Sequence, residues 1–166
     1  MKAKLVIALV SILVIGSLVW VARSSEKNSE PEDFVATSPK GILSAQEMSY
    51  NFGTVSMAKG KVNHEFKLKN TGPETIVVKK MYTSCMCTTV TLKAGGEDFG
   101  PFGMPGHGFI PPINVKVEPG QEIIAVAVFD PNAHGPAGVG KIDRVITVEN
   151  NAGAPIEFQF SAMVTP

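Results

Sequence analysis

Cys85 and Cys87 are the only two cysteines in the chain, and Met86 separates them. In an extended strand, residues i and i+2 project from one face, so this spacing sets two sulfurs side by side and turns Met86 away. Two thiolates in that arrangement can chelate a soft ion such as Cu(I), which accepts few ligands. The same pair could close a disulfide, whose short ring is strained unless the strand bends into a turn, and strain makes such a bond easy to reduce. The plainest reading is two small buried side chains. A third ligand has to come from elsewhere in the chain. The stretch 95–112 begins a few residues on and holds six Gly and four Pro. In it, Met104 and His107 are the natural extra ligands, with Gly103, Gly106 and Gly108 allowing close backbone approach. Copper is thus the one cofactor the sequence suggests, and otherwise none is expected.

Other residues invite chemistry less strongly. Phe99, Phe102 and Phe109 give the 95–112 stretch an apolar character unusual for a linker, so it reads as an interaction loop or as a lid folded back on the sheet. His64 lies on an apolar strand face and is expected to be a hydrogen-bonded core or edge residue. His134 falls in the turn-rich run Asp130-Pro131-Asn132-Ala133-His134-Gly135-Pro136, where an exposed histidine needs no special role, and it stays a minor candidate ligand. There is no Gly-x-Ser-x-Gly elbow, no His-Glu-x-x-His and no phosphate-binding Gly-Lys-Ser/Thr loop, so the chain is expected not to be an enzyme.

The elements that must position these groups are strands. Val62, His64, Phe66 and Leu68 alternate with Asn63, Glu65, Lys67 and Lys69, one face apolar and the other charged. Further β-branched or alternating runs occupy 42–49, 75–82, 85–92, 113–118, 123–129, 141–149 and 156–164, separated by turn signals such as Asn70-Thr71-Gly72-Pro73. That count and spacing predict an all-β fold, an immunoglobulin-like β-sandwich of about seven or eight strands. Phe66, Val126, Ile146, Phe158 and Phe160 are expected to lie between its sheets.

Ahead of this domain the sequence changes character. Leu5 to Ala22 carries no charge, and as a helix it spans about 27 Å, enough to cross a bilayer. Residues 1–22 therefore read as an N-terminal transmembrane signal anchor, with a signal peptide cut near Ala22-Arg23-Ser24 as the competing reading. Residues 23–40, rich in Ser and charge, read as a flexible polar linker, and 41–166 as the folded domain with 95–112 as a loop insertion. Lys+Arg and Asp+Glu balance at 15 each. No clustered positive charge is present to displace counterions from phosphates, so nucleic acid is excluded as a partner.

Phe52-Gly53-Thr54-Val55, His64 to Gly72, Ser84-Cys85-Met86-Cys87-Thr88-Thr89, Glu118-Pro119-Gly120 and Phe129-Asp130-Pro131 follow one another in an order that resembles a bacterial family, domain-of-unknown-function family 1573. Its exported Ig-like domains are similar to the Hydin and major-sperm-protein type. The resemblance spans roughly 48–164 and departs from the usual Ser-Cys-Gly-Cys at Met86. It implies an exported or envelope-attached Ig-like domain. The leading expectation is a non-enzymatic interaction module anchored in the cytoplasmic membrane by a single pass, facing the periplasmic or extracellular side and meeting an envelope protein. The alternative is a soft-metal or thiol-redox protein built on Cys85 and Cys87.

Overall fold

The structure, a computed structural model, describes residues 42–166. The expected anchor 1–22 and linker 23–40 lie outside the described residues. Ten strands run in order: β1 (Leu43–Ala45), β2 (Ser49–Ser56), β3 (Val62–Asn70), β4 (Ile76–Thr83), β5 (Thr88–Ala94), β6 (Glu97–Phe102), β7 (Val115–Val117), β8 (Glu122–Phe129), β9 (Gly140–Asn150) and β10 (Ile156–Thr165). They form two five-stranded sheets, ordered β1-β3-β8-β5-β6 and β2-β10-β9-β4-β7. All pairings are antiparallel except that of β2 with β10, which is parallel. The expected all-β class holds, as a sandwich of two sheets.

Two strands lie beyond the expected set, and both are edge strands. β2 is mostly exposed along its length and bends at Gly53, whose φ of 67° is left-handed, so it carries no clean alternation. β6 contains Gly100-Pro101, and such residues are tolerated where one side of a strand has no ladder to complete.

The core follows the period-2 pattern. Phe66 and Leu68 on β3, Ile146 and Val148 on β9, and Phe158 and Phe160 on β10 are all buried. Phe66 stacks on Phe158 across the two sheets with ring centroids 4.5 Å apart, and Phe129 meets Phe160 at 5.7 Å. Contacts of this kind are worth about 0.5–1.5 kcal/mol beyond the area they bury.

Val126 departs from expectation. It is half-buried on the outer face of β8, while Ile123, Ala125, Ala127 and Phe129 face inward. Both parities of β8 are apolar, so its pattern cannot choose a face. Packing chooses it: Ala125 pairs with Phe66 on one side and Leu92 on the other, and a small residue between them leaves room for the ring.

Two connections at one end of the sandwich carry the chain from one sheet to the other. Residues 84–87 lead from the end of β4 to the start of β5, and residues 130–139 lead from the end of β8 to the start of β9. Their common position is fixed by strand pairing, since Thr88 pairs with Phe129 and Thr83 with Ile146.

Candidate metal centre

The first connection is a tight turn. The Thr88 N–H donates to the Cys85 carbonyl at 3.1 Å, and the buried Thr83 hydroxyl lies 3.0 Å from the carbonyl oxygens of both Cys85 and Thr88. The Ser84 N–H donates to the Val145 carbonyl, and the Val145 N–H donates to the Ser84 hydroxyl, each at 2.9 Å, which pins the turn to β9. On the other side the Asp130 N–H donates to the Cys87 carbonyl at 2.8 Å, pinning it to the second connection. The two cysteines thus sit in a turn, not on one face of a strand running 85–92 as their spacing suggested. β5 begins only at Thr88, because the chain must cross between sheets there. The sulfurs meet by folding of the turn, with exposed Met86 at its tip.

Cys85 is half-buried and Cys87 buried, and both are free thiols. The Cys85 sulfur accepts the Cys87 N–H at 3.3 Å and lies 3.2 Å from His134 Nε2. Arg144, on β9, donates its Nε–H to the Cys87 sulfur at 3.1 Å. The Cys87 sulfur also lies 3.6 Å from the Thr88 hydroxyl. One ligand atom each from Cys85, Cys87 and His134 falls within 4.8 Å of the others.

The electrostatics separate the two thiols. Burial works against a Cys85 thiolate, but hydrogen bonds from the Cys87 side chain, His134 and the Cys87 N–H, with the Arg144 charge, outweigh it and bring Cys85 down to about 7. Burial, with the hydrogen bond its thiol gives to Cys85, holds Cys87 above its ordinary value despite Arg144. At neutral pH, Cys85 is the readily ionised sulfur and Cys87 the proton donor beside it.

His134 reaches the pair because its loop is tightly wound. The Gly135 N–H donates to the Asn132 carbonyl at 2.9 Å, and a short 3-10 turn follows at Gly135–Gly138. A Cβ on Gly138 would stand 3.2 Å from the His134 Cβ, so glycine lets the loop close beneath the imidazole. Asn132 ties the loop to the Met57 carbonyl through its side-chain N–H at 2.8 Å.

The other expected residues fall elsewhere. His107 is exposed and donates its N–H to the Met104 carbonyl at 3.2 Å, and it is not among the three clustered ligands. Met104 follows Gly103, whose carbonyl accepts the Thr83 N–H at 3.0 Å, which holds this part of the loop close to the turn. The 95–112 stretch is not one loop: its first part is β6, whose Phe99 and Phe102 pair with Leu92 and Val90. Phe102 is buried in the core and Phe99 packs partly against it, which corrects their assignment to an interaction loop; only Phe109 stands out, 86% exposed. His64 behaves as expected, bonded to Glu47 and stacked on Tyr50.

His134 was legible as a histidine in a loop but not as a partner of Cys85. The signal that places it is the pairing of β5 with β8, which neither segment's own pattern encodes. Arg144 gave no signal in the sequence.

Residues 43–95 match the model of a family described as protein of unknown function, DUF1573. The parallel with Hydin and major sperm protein finds no support beyond the general β-fold. No curated protein matches the chain. Among solved structures, a protein of unknown function from Porphyromonas gingivalis W83 superposes with a TM-score of 0.57 at 12% identity, covering 79% of this chain and 51% of that one. The chain therefore spans about half the length of that relative. The PapD-like domain 7 of human CEP192 gives 0.46 at 17% identity, covering 76% and 87%, and the periplasmic chaperone SfaE 0.38 at 6%, covering 75% and 59%. These likenesses show the fold alone. The expected single-pass membrane protein, with the membrane as its partner through an N-terminal helix, is not upheld by these comparisons, and residues 1–22, on which it rests, lie outside the described residues. Among the described residues no helix is long and apolar enough to cross a membrane.

Proposed function

Proceeding from a β-sandwich whose residues 43–95 match a family of undescribed function, we propose that this chain is a soft-metal-binding protein that holds one Cu(I) ion between Cys85, Cys87 and His134. The observation that carries this reading is the convergence of two sulfurs and an imidazole nitrogen within 4.8 Å, delivered by two separate connections. An ion about 2.0–2.3 Å from each donor leaves the donors roughly 3.5–4 Å apart, so small side-chain rotations close the site.

The donor set points to the metal. Thiolate and imidazole ligands without a carboxylate suit soft or borderline ions, and three ligands satisfy Cu(I), whereas a structural zinc site takes four. Cys85 ionises near neutrality, so binding there displaces few protons. The role is binding rather than catalysis, carried by the sandwich domain of residues 41–166.

Titration of the reduced full chain with Cu(I) against a chromophoric chelator tests the reading. One ion per chain is expected, with uptake lost in Cys85→Ser and Cys87→Ser and weakened at least tenfold in His134→Ala. Undiminished uptake by the Cys85→Ser/Cys87→Ser double variant would place the metal elsewhere and overturn it.

A further inference from the structure

One contact at the site has no part in holding the ion: a guanidinium aimed at a ligand sulfur. Arg144 lies on β9 opposite Phe160 and is half-buried. Its Nη1–H donates to the Asp143 carbonyl at 2.8 Å, which fixes the plane of the group, and its Nε–H points at the Cys87 sulfur at 3.1 Å. Among the described residues no carboxylate pairs with it, although Lys61, Lys93 and Lys141 each have one. A cation partly withdrawn from water, with a thiol where an anion is usually found, is matched only when that thiol is negative.

We infer that Arg144 is the specificity residue of this centre: its charge completes a neutral assembly with two thiolates and a monovalent ion, and so selects Cu(I) over divalent soft ions such as Zn(II). The inference rests on the metal reading above. The sum of charges makes the choice. Two thiolates, a neutral imidazole and Cu(I) carry one net negative charge, which Arg144 cancels. With Zn(II) the same ligands are already neutral, and Arg144 leaves an uncompensated positive charge beside the ion. At separations of a few ångströms and the effective dielectric of a half-buried site, one unit of charge shifts the preference by about tenfold to a hundredfold.

The test measures Cu(I) and Zn(II) affinities in parallel on the reduced full chain, each by competition with a chelator of known strength, for the wild type, Arg144→Lys and Arg144→Gln. Circular dichroism checks the fold of each. The ratio of Cu(I) to Zn(II) affinity is expected to fall about tenfold or more in Arg144→Gln and to stay within about threefold of wild type in Arg144→Lys, which keeps the charge. In the wild type the ratio should also fall as ionic strength rises from about 10 mM to 1 M, because a half-exposed charge is screened. This arm needs no variant to fold. A ratio unchanged in Arg144→Gln, a lysine variant that behaves like the glutamine one, or a salt-independent ratio would overturn the role of charge while leaving the metal site standing. Absence of Cu(I) uptake by the wild type would instead remove the metal reading, and this inference with it.

Discussion

Asn70 and Cys87 pack against opposite ends of β8, and the two ends bury polar groups in different ways. At the first, Asn70 is fully buried and all its groups are answered within the fold. Its side-chain N–H groups donate to the Glu74 and Val117 carbonyls at 2.8 Å each, its side-chain oxygen accepts the Gly72 N–H at 3.0 Å, and its backbone exchanges bonds with Gln121 and Gly120. The Val117 bond ties β3 in one sheet to β7 in the other. Every partner is neutral, and every bond is spent inside the fold. At the second end, the partners of the Cys85 and Cys87 sulfurs are the Cys87 N–H, the Thr88 hydroxyl, an exposed imidazole and a guanidinium with no carboxylate partner among the described residues. Sulfur is a weak acceptor and bonds to it contribute little in the neutral state. The first end is finished by folding, whereas the second is left with charge and donor capacity that an ion would complete.

The contrast can be broken at either end. The largest effect is expected in the core between them: Phe158→Ala or Phe66→Ala should cost about 3–5 kcal/mol in denaturant unfolding, with Cu(I) stoichiometry unchanged in whatever fraction stays folded. Asn70→Leu should cost about 2–3 kcal/mol, since it orphans the Val117 and Glu74 carbonyls and the Gly72 N–H, again without altering metal uptake. A loss below about 0.5 kcal/mol would show that the bonds at this end are replaceable by water.

Substitutions at the other end should reverse the pattern. His134→Ala and Cys85→Ser are expected to leave the reduced, metal-free chain within about 1 kcal/mol of wild type. Cys85→Ser should also abolish the rise in thermal midpoint that Cu(I) gives the parent, a stabilisation of about 2.7 kcal/mol when free ion is a hundred times its Kd, and His134→Ala should cut it to about 1.4 kcal/mol or less, in line with a tenfold or greater loss of affinity. Smallest in energy but easiest to read is the pH dependence of alkylation. Only the thiolate reacts, and Cys85 is lowered to about 7, so its rate should rise through roughly pH 6–8 and level off above, rather than climb towards pH 9. Cys87, buried and shifted upward, should react only on unfolding. Equal labelling of both sulfurs in the folded chain would contradict the separation drawn between them.

How much of this was readable from the chain depends on the range of the information. The β3 and β10 alternations determine which faces of those strands are buried, because one parity is apolar and the other polar. β8 could not be oriented in that way, since Ile124, Val126 and Val128 are as apolar as their inward neighbours. Its face is set by the space Ala125 leaves beside Phe66, a relation between strands distant in sequence. The same limit applied to the site. Cys85 and Cys87 were visible by their spacing, but His134 and Arg144 come from segments that meet the turn only through strand pairings distant in sequence. The glycine-rich stretch drew attention to Met104 and His107 by proximity in sequence, whereas pairing across β8 brings His134 to the sulfurs. Proximity along the chain did not reveal that histidine, and strand order does.

The most direct test of the central claim is copper K-edge X-ray absorption on the reduced full chain loaded with one equivalent of Cu(I). The account predicts a three-coordinate ion with two sulfur ligands and one nitrogen, the nitrogen disappearing in His134→Ala. A spectrum with no sulfur in the inner shell, or one unaltered by that substitution, would contradict it.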